Sequence, residues 1–155
     1  MNRPQQTPAR SAVTIDYHPI HPMLVVFPVS FLSTVPVTDA LFWWTGMAFW
    51  ADASFWLVAG GVAMGLLSAV VGLIDFVAVR EVRTHISSWS HMLVAVMLLA
   101  AAAGNLRLRW DDAAALFPWG FTLSLLTAAL VMVAAWLGGT LTFRHRIGVY
   151  EHHSD

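Results

Sequence analysis

The stretch from Ala53 to Ile74 reads ASFWLVAGGVAMGLLSAVVGLI and carries no charge. A hydrocarbon core of about 30 Å is crossed by a helix of about 20 apolar residues, so this segment reads as a transmembrane helix, expected to run on to Val79. Three further segments meet the same requirement, at about 22–44, 88–106 and 120–143. The first is interrupted only by Asp39, near its end. The last lies within the uncharged stretch 113–143, where Phe117-Pro118-Trp119 has the character of an interfacial helix start. Short connections make consecutive helices antiparallel neighbours. The expected fold is an all-α polytopic membrane protein, an antiparallel bundle of four transmembrane helices over residues 18–150. Residues 1–17 read as a flexible tail and 151–155 as a second tail.

Composition agrees. Of 155 residues, 58% are hydrophobic and 11% charged, where a soluble chain has about a quarter charged. A net charge of −1 gives no electrostatic case for nucleic acid. The absence of cysteine excludes disulfides, thiolate metal sites and covalent haem attachment. No nucleophile–base set or phosphate loop is present, so a catalytic residue is not assigned. The chain is expected to act as a subunit of an oxidoreductase complex rather than as an enzyme alone.

Orientation follows from arginine. Arg3, Arg10, Arg80, Arg83, Arg144 and Arg146 share one side of an even-span protein, against Arg107 and Arg109 on the other. The positive-inside rule then places both termini on the cytoplasmic side of an inner membrane. Trp43, Trp44, Trp50, Trp56, Trp110 and Trp119 fall near the opposite ends of the helices, where an indole ring prefers the lipid–water boundary. Gly61 and Gly65, continued by Ser68 and Gly72, form a small-residue stripe expected to pack helices within the chain. Pro28 and Pro36 are expected to bend the first helix.

Ionisable residues gather at one membrane face. His21 starts the first span, Asp75 lies a turn from the end of the second, His91 lies in the first turn of the third, and His145 follows the fourth; His18 and His85 are nearby. Such groups cost about 3 kcal/mol or more at membrane depth and usually face the bundle interior with a partner. For Asp75 an imidazole is the available partner.

Three chemistries suit this cluster. His21 and His91 can be axial ligands of haem b, with Asp75 and His145 orienting the imidazoles or a propionate. Three His and a carboxylate can instead bind a transition metal. A His–Asp pair can move protons while a quinone is reduced. With no cofactor at all, the chain would be a non-haem anchor or assembly subunit of a redox complex. A transporter fits less well, because the helix centres are plainly apolar. At the opposite face, Asp39 and Arg107 are expected to form an interfacial ion pair.

The run His21-Pro22-Met23-Leu24-Val25-Val26-Phe27-Pro28 resembles the opening signature of the membrane proteins grouped as domain of unknown function 2231. Gly72-Leu73-Ile74-Asp75-Phe76 is similar to that family's Gly-x-x-Asp-Phe, and His91 falls at its third-span His. Gly138-Gly139-Thr140-Leu141, followed by Arg144 through Val149, resembles its closing motif. The resemblance covers about residues 18–150. It implies a four-span fold and occasional association with redox partners such as cytochrome or iron–sulfur modules, here a membrane or periplasmic redox protein, and supplies no established activity. Membrane lipid is the other expected partner; oligomeric state is not legible.

Overall fold

Long apolar runs bounded by glycine, proline and charge fold here into four long helices. The computed structural model describes residues 11–112 and 117–144. Helices α1 (Ile20–Thr45), α2 (Ala48–Ala78) and α4 (Ile86–Arg109) are joined by tight turns and by a short helix, α3 (Arg80–Thr84). Helix α5 (Trp119–Gly139) continues into a π-helical turn, Thr140–Arg144. Each of the four long helices is long and apolar enough to cross a membrane. They extend the expected spans by up to about a turn and a half, most at the start of α2 and the end of α4.

The turn between α1 and α2 depends on Gly46. Its φ of 65° is left-handed, and its N–H closes α1 by donating to the Phe42 carbonyl at 2.8 Å. A glycine takes that conformation without a Cβ penalty. Helix α2 restarts two residues later, so α1 and α2 must lie antiparallel side by side.

Helix α1 packs on α2 and α5, and α4 packs on α5 and α2, so α1 and α4 face each other across the bundle. Leu32, Ala102 and Val131 form the apolar centre. Close packing there depends on absent side chains. A Cβ on Gly61 would stand 2.5 Å from Leu32 Cδ2, and one on Gly65 would stand 2.7 Å from Leu99 Cδ2. The small-residue stripe therefore serves packing inside the chain, as its spacing suggests. Helix α1 runs unbroken through Pro28 and Pro36, with Pro28 buried. Trp43, Trp44, Trp56, Trp110 and Trp119 are all exposed around one end of the bundle, as lipid-boundary anchors would be.

The segment before α1 is structured from Ser11 onward, where the sequence suggests a tail. Thr14–Ile15 pairs antiparallel with His18–Pro19 around a two-residue turn, in which Asp16 and Tyr17 both take positive φ. The Ile20 N–H donates to the Val13 carbonyl at 3.1 Å and joins this hairpin to α1. Nothing in so short a hairpin stands out from a polar tail in sequence.

Candidate functional site

His21 and His91 meet. His21 is the second residue of α1, and His91 lies in the second turn of α4 because that helix begins at Ile86. Their ring centroids are 6.5 Å apart and the ring planes cross at 85°. Both rings are half-buried.

A backbone carbonyl orients each ring. His21 Nδ1 lies 2.9 Å from the Ser68 carbonyl oxygen on α2, and His91 Nδ1 lies 3.0 Å from the Ala134 carbonyl oxygen on α5. A carbonyl accepts only, so Nδ1 is the protonated nitrogen in both rings. In each neutral imidazole the free lone pair is then on Nε2. The Ser68 hydroxyl also lies 3.3 Å from His21 Nδ1.

Two glycines make room for the rings. A Cβ on Gly72 would stand 2.8 Å from His21 Cε1 and 2.9 Å from its Nδ1; one on Gly138 would stand 3.4 Å from His91 Cε1. One turn before His91, on the same face of α4, the Ser88 hydroxyl is buried and has no hydrogen-bond partner among the described residues. A buried polar group is nearly always satisfied, which makes Ser88 worth following.

Asp75 has a different role from the one its position suggests. Its carboxylate accepts from the Ser11 hydroxyl at 2.6 Å, the Ala12 N–H at 2.7 Å and the Val13 N–H at 3.1 Å. The imidazole expected as its partner is replaced by the N-terminal strap, whose unpaired backbone donors satisfy a carboxylate better than one ring nitrogen could. Asp75→Ala is expected to release that strap, so amide hydrogen exchange at Ala12 and Val13 should rise at least about tenfold; unchanged protection would contradict this role. His18 turns instead to the Asp16 carbonyl at 2.7 Å, in the exposed hairpin. His145 lies outside the described residues.

Among the described residues, no three His, Asp or Glu side chains converge as a bare metal ion would need. The transition-metal set of three His and a carboxylate is therefore not assembled from His21, His91 and Asp75.

At the far end the expected Asp39–Arg107 pair is replaced by Asp39–Arg109. Arg109 holds Asp39 with two hydrogen bonds, Nη1 to Oδ1 at 2.9 Å and Nη2 to Oδ2 at 2.7 Å, and both side chains are fully buried. Arg109 Nε also donates to Asn105 Oδ1 at 2.8 Å, and the Ser124 hydroxyl donates to Asp39 Oδ2 at 2.6 Å. Two residues along a helix turn a side chain by about 200°. Arg107 consequently faces outward and pairs with Asp111 on the surface.

The sequence reading missed Arg109, Ser88 and the two carbonyls. Carbonyls carry no residue signature. Arg109 could have been found by continuing the inward face of α4 from His91 through Ala102 and Asn105.

No curated protein and no solved structure matches the chain. The model of the family described as predicted membrane protein (DUF2231) matches residues 17–151. With four membrane-crossing helices over that same range, the chain belongs to the DUF2231 family of predicted membrane proteins.

Proposed function

We propose that this protein is a membrane electron-transfer subunit whose redox group, a b-type haem, is held between His21 and His91. The observation that carries the reading is two imidazoles of the same tautomer on facing helices, with centroids 6.5 Å apart. Two imidazoles bound through Nε2 at about 2.0–2.1 Å on opposite sides of one metal have centroids about 6 Å apart.

The donor set also favours a macrocycle over a bare ion. Among the described residues two imidazoles converge, too few for a closed protein-only metal site. A porphyrin would need only two further ligands from the chain, which His21 and His91 would supply. Bound haem supplies one-electron chemistry, at a potential tuned by its axial ligands and burial.

The chain's own residues support such a group. The Ser68 and Ala134 carbonyls hold each Nδ1–H, which would leave each Nε2 lone pair to a metal and would raise its basicity as a ligand. Gly72 and Gly138 clear side chains from α2 and α5 at the same depth. Ser88, one turn before His91, would hydrogen-bond a polar edge of the group, and the apolar helix centres would exclude water. We place the site in the cytoplasmic half of a bacterial inner membrane, with both termini cytoplasmic, on the arginine bias. A quinone or a membrane redox protein would exchange electrons there.

Protein purified in detergent from haem-sufficient cells is expected to show a Soret band and a b-type pyridine haemochrome. His91→Ala should abolish the six-coordinate spectrum. Colourless wild-type protein that also fails to take up added hemin would overturn the proposal.

A further inference from the structure

We infer that the chain is one helical hairpin used twice, at residues 20–78 and 86–144, around a two-fold axis along the bundle. His21 and His91 are then the same position of that hairpin, and one ligand on the axis takes them as equivalent partners, one on each of its faces.

The helix contacts have the required pattern. Packing of α1 on α2 is matched by α4 on α5, and packing of α1 on α5 by α4 on α2. The buried positions repeat in step. Leu32, Val35 and Asp39 of α1 recur 70 positions later as Ala102, Asn105 and Arg109, which with Ser88 are all the buried residues of α4. All five buried residues of α5 lie 66 positions after a buried residue of α2, from Gly120 after Ser54 to Ala134 after Ser68. The change from 70 to 66 arises because Arg109 to Gly120 is four residues fewer than Asp39 to Ser54: α1 and α2 run further past these positions than α4 and α5 do, which outweighs the longer second connection.

The site obeys the same rule. The carbonyls that hold the two Nδ1–H groups belong to Ser68 and Ala134, which are 66 apart. The glycines against the rings, Gly72 and Gly138, are also 66 apart, and both face the Cε1–Nδ1 edge of their imidazole.

Residues on a two-fold axis meet their own counterparts. His21 meets His91, and Asp39 meets Arg109, each pair separated by 70. Both pairs therefore lie on the axis, which enters the bundle at one and leaves at the other. Parallel repeats about an axis along the membrane normal are a known way to build a site between halves of a membrane protein.

Equivalence restricts the ligand. A proton relay or a one-sided quinone site needs one imidazole to donate and the other to accept. Two like tautomers suit a metal-centred planar group with two equivalent faces. This part rests on the haem reading above.

The test has two arms. Nitrogen-15 NMR of histidine side chains in the detergent-solubilised full chain is expected to show His21 and His91 both as Nδ1–H tautomers. Opposite tautomers would overturn the equivalence whether or not haem binds. In hemin titrations, His21→Ala and His91→Ala should each weaken binding, by factors that agree within about tenfold. Loss confined to one variant would overturn the shared ligand, and His21→Asn with His91→Asn repeats the comparison if an alanine variant fails to fold. Matched tautomers in a wild-type protein that refuses hemin would remove the haem reading and leave the repeat standing.

Discussion

Asp39→Ala is expected to cost about 3–5 kcal/mol of bundle stability, the largest loss of any single substitution considered for this chain. The substitution leaves the Arg109 guanidinium fully buried with its main counter-charge gone. Asn105 Oδ1, the Ser124 hydroxyl and the Gly120 carbonyl remain as acceptors, but all three are neutral. A buried charge left with neutral acceptors is expensive because water cannot reach it. Removing both partners is a different matter, since buried ion pairs replaced whole by apolar residues are often neutral or better. The double variant Asp39→Leu/Arg109→Leu should therefore recover most of the loss. Denaturant titration in detergent, followed by helical circular dichroism, measures both. A single variant within about 1 kcal/mol of wild type would show the pair to be idle.

Gly72→Ala is expected to remove His21 from the site, whereas Gly138→Ala should leave His91 in place. Carbon atoms pack at about 3.5–4.0 Å. The new methyl at position 72 would stand 2.8 Å from His21 Cε1, so the ring must retreat by roughly 1 Å. The hydrogen bond to the Ser68 carbonyl, now 2.9 Å, would stretch out of range. At position 138 the methyl would stand 3.4 Å from His91 Cε1, close to ordinary contact. On the proposed haem reading, bound hemin should thus change from six-coordinate to five-coordinate in Gly72→Ala and stay six-coordinate in Gly138→Ala. The reverse order would mean that the two rings are seated differently from the geometry described. Overpacking of this kind also costs about 1–3 kcal/mol in stability, so the spectrum is read on protein whose helical content is intact.

The bundle was readable because lipid imposes a strong rule. Every backbone group must be satisfied within the chain, so uncharged runs of spanning length leave helix as the answer. Gly61 and Gly65 likewise announced close packing, and Leu32 and Leu99 occupy the space they leave. Convergence of His21 with His91 followed from depth alone, because two antiparallel hairpins bring the starts of α1 and α4 to one face.

Rotation about each helix was harder to read. Asp75 has the right depth for the imidazoles, yet its oxygens face donors from a strap with no hydrophobic pattern. Arg107 and Arg109 are equally near the boundary, and only the inward phase of α4 separates them. The repeat is faint in sequence because few paired positions share a residue type. What recurs is burial, as in Val35 with Asn105 and Val58 with Ser124, and single-residue identity hides that.

From His21 to Asp39 is 18 residues, and from His91 to Arg109 is 18 again. At 1.5 Å per residue both intervals span about 27 Å, close to the thickness of the hydrocarbon layer. The two diagonal helices thus meet near both lipid boundaries. On the proposed reading, one fastening is always closed and the other closes only when the ligand arrives. A ligand at a hundredfold excess over its Kd would add about 2.7 kcal/mol to the folded state. On that reading the loaded chain is clasped at both leaflets, and the stability of the His21–His91 end is tied to the ligand.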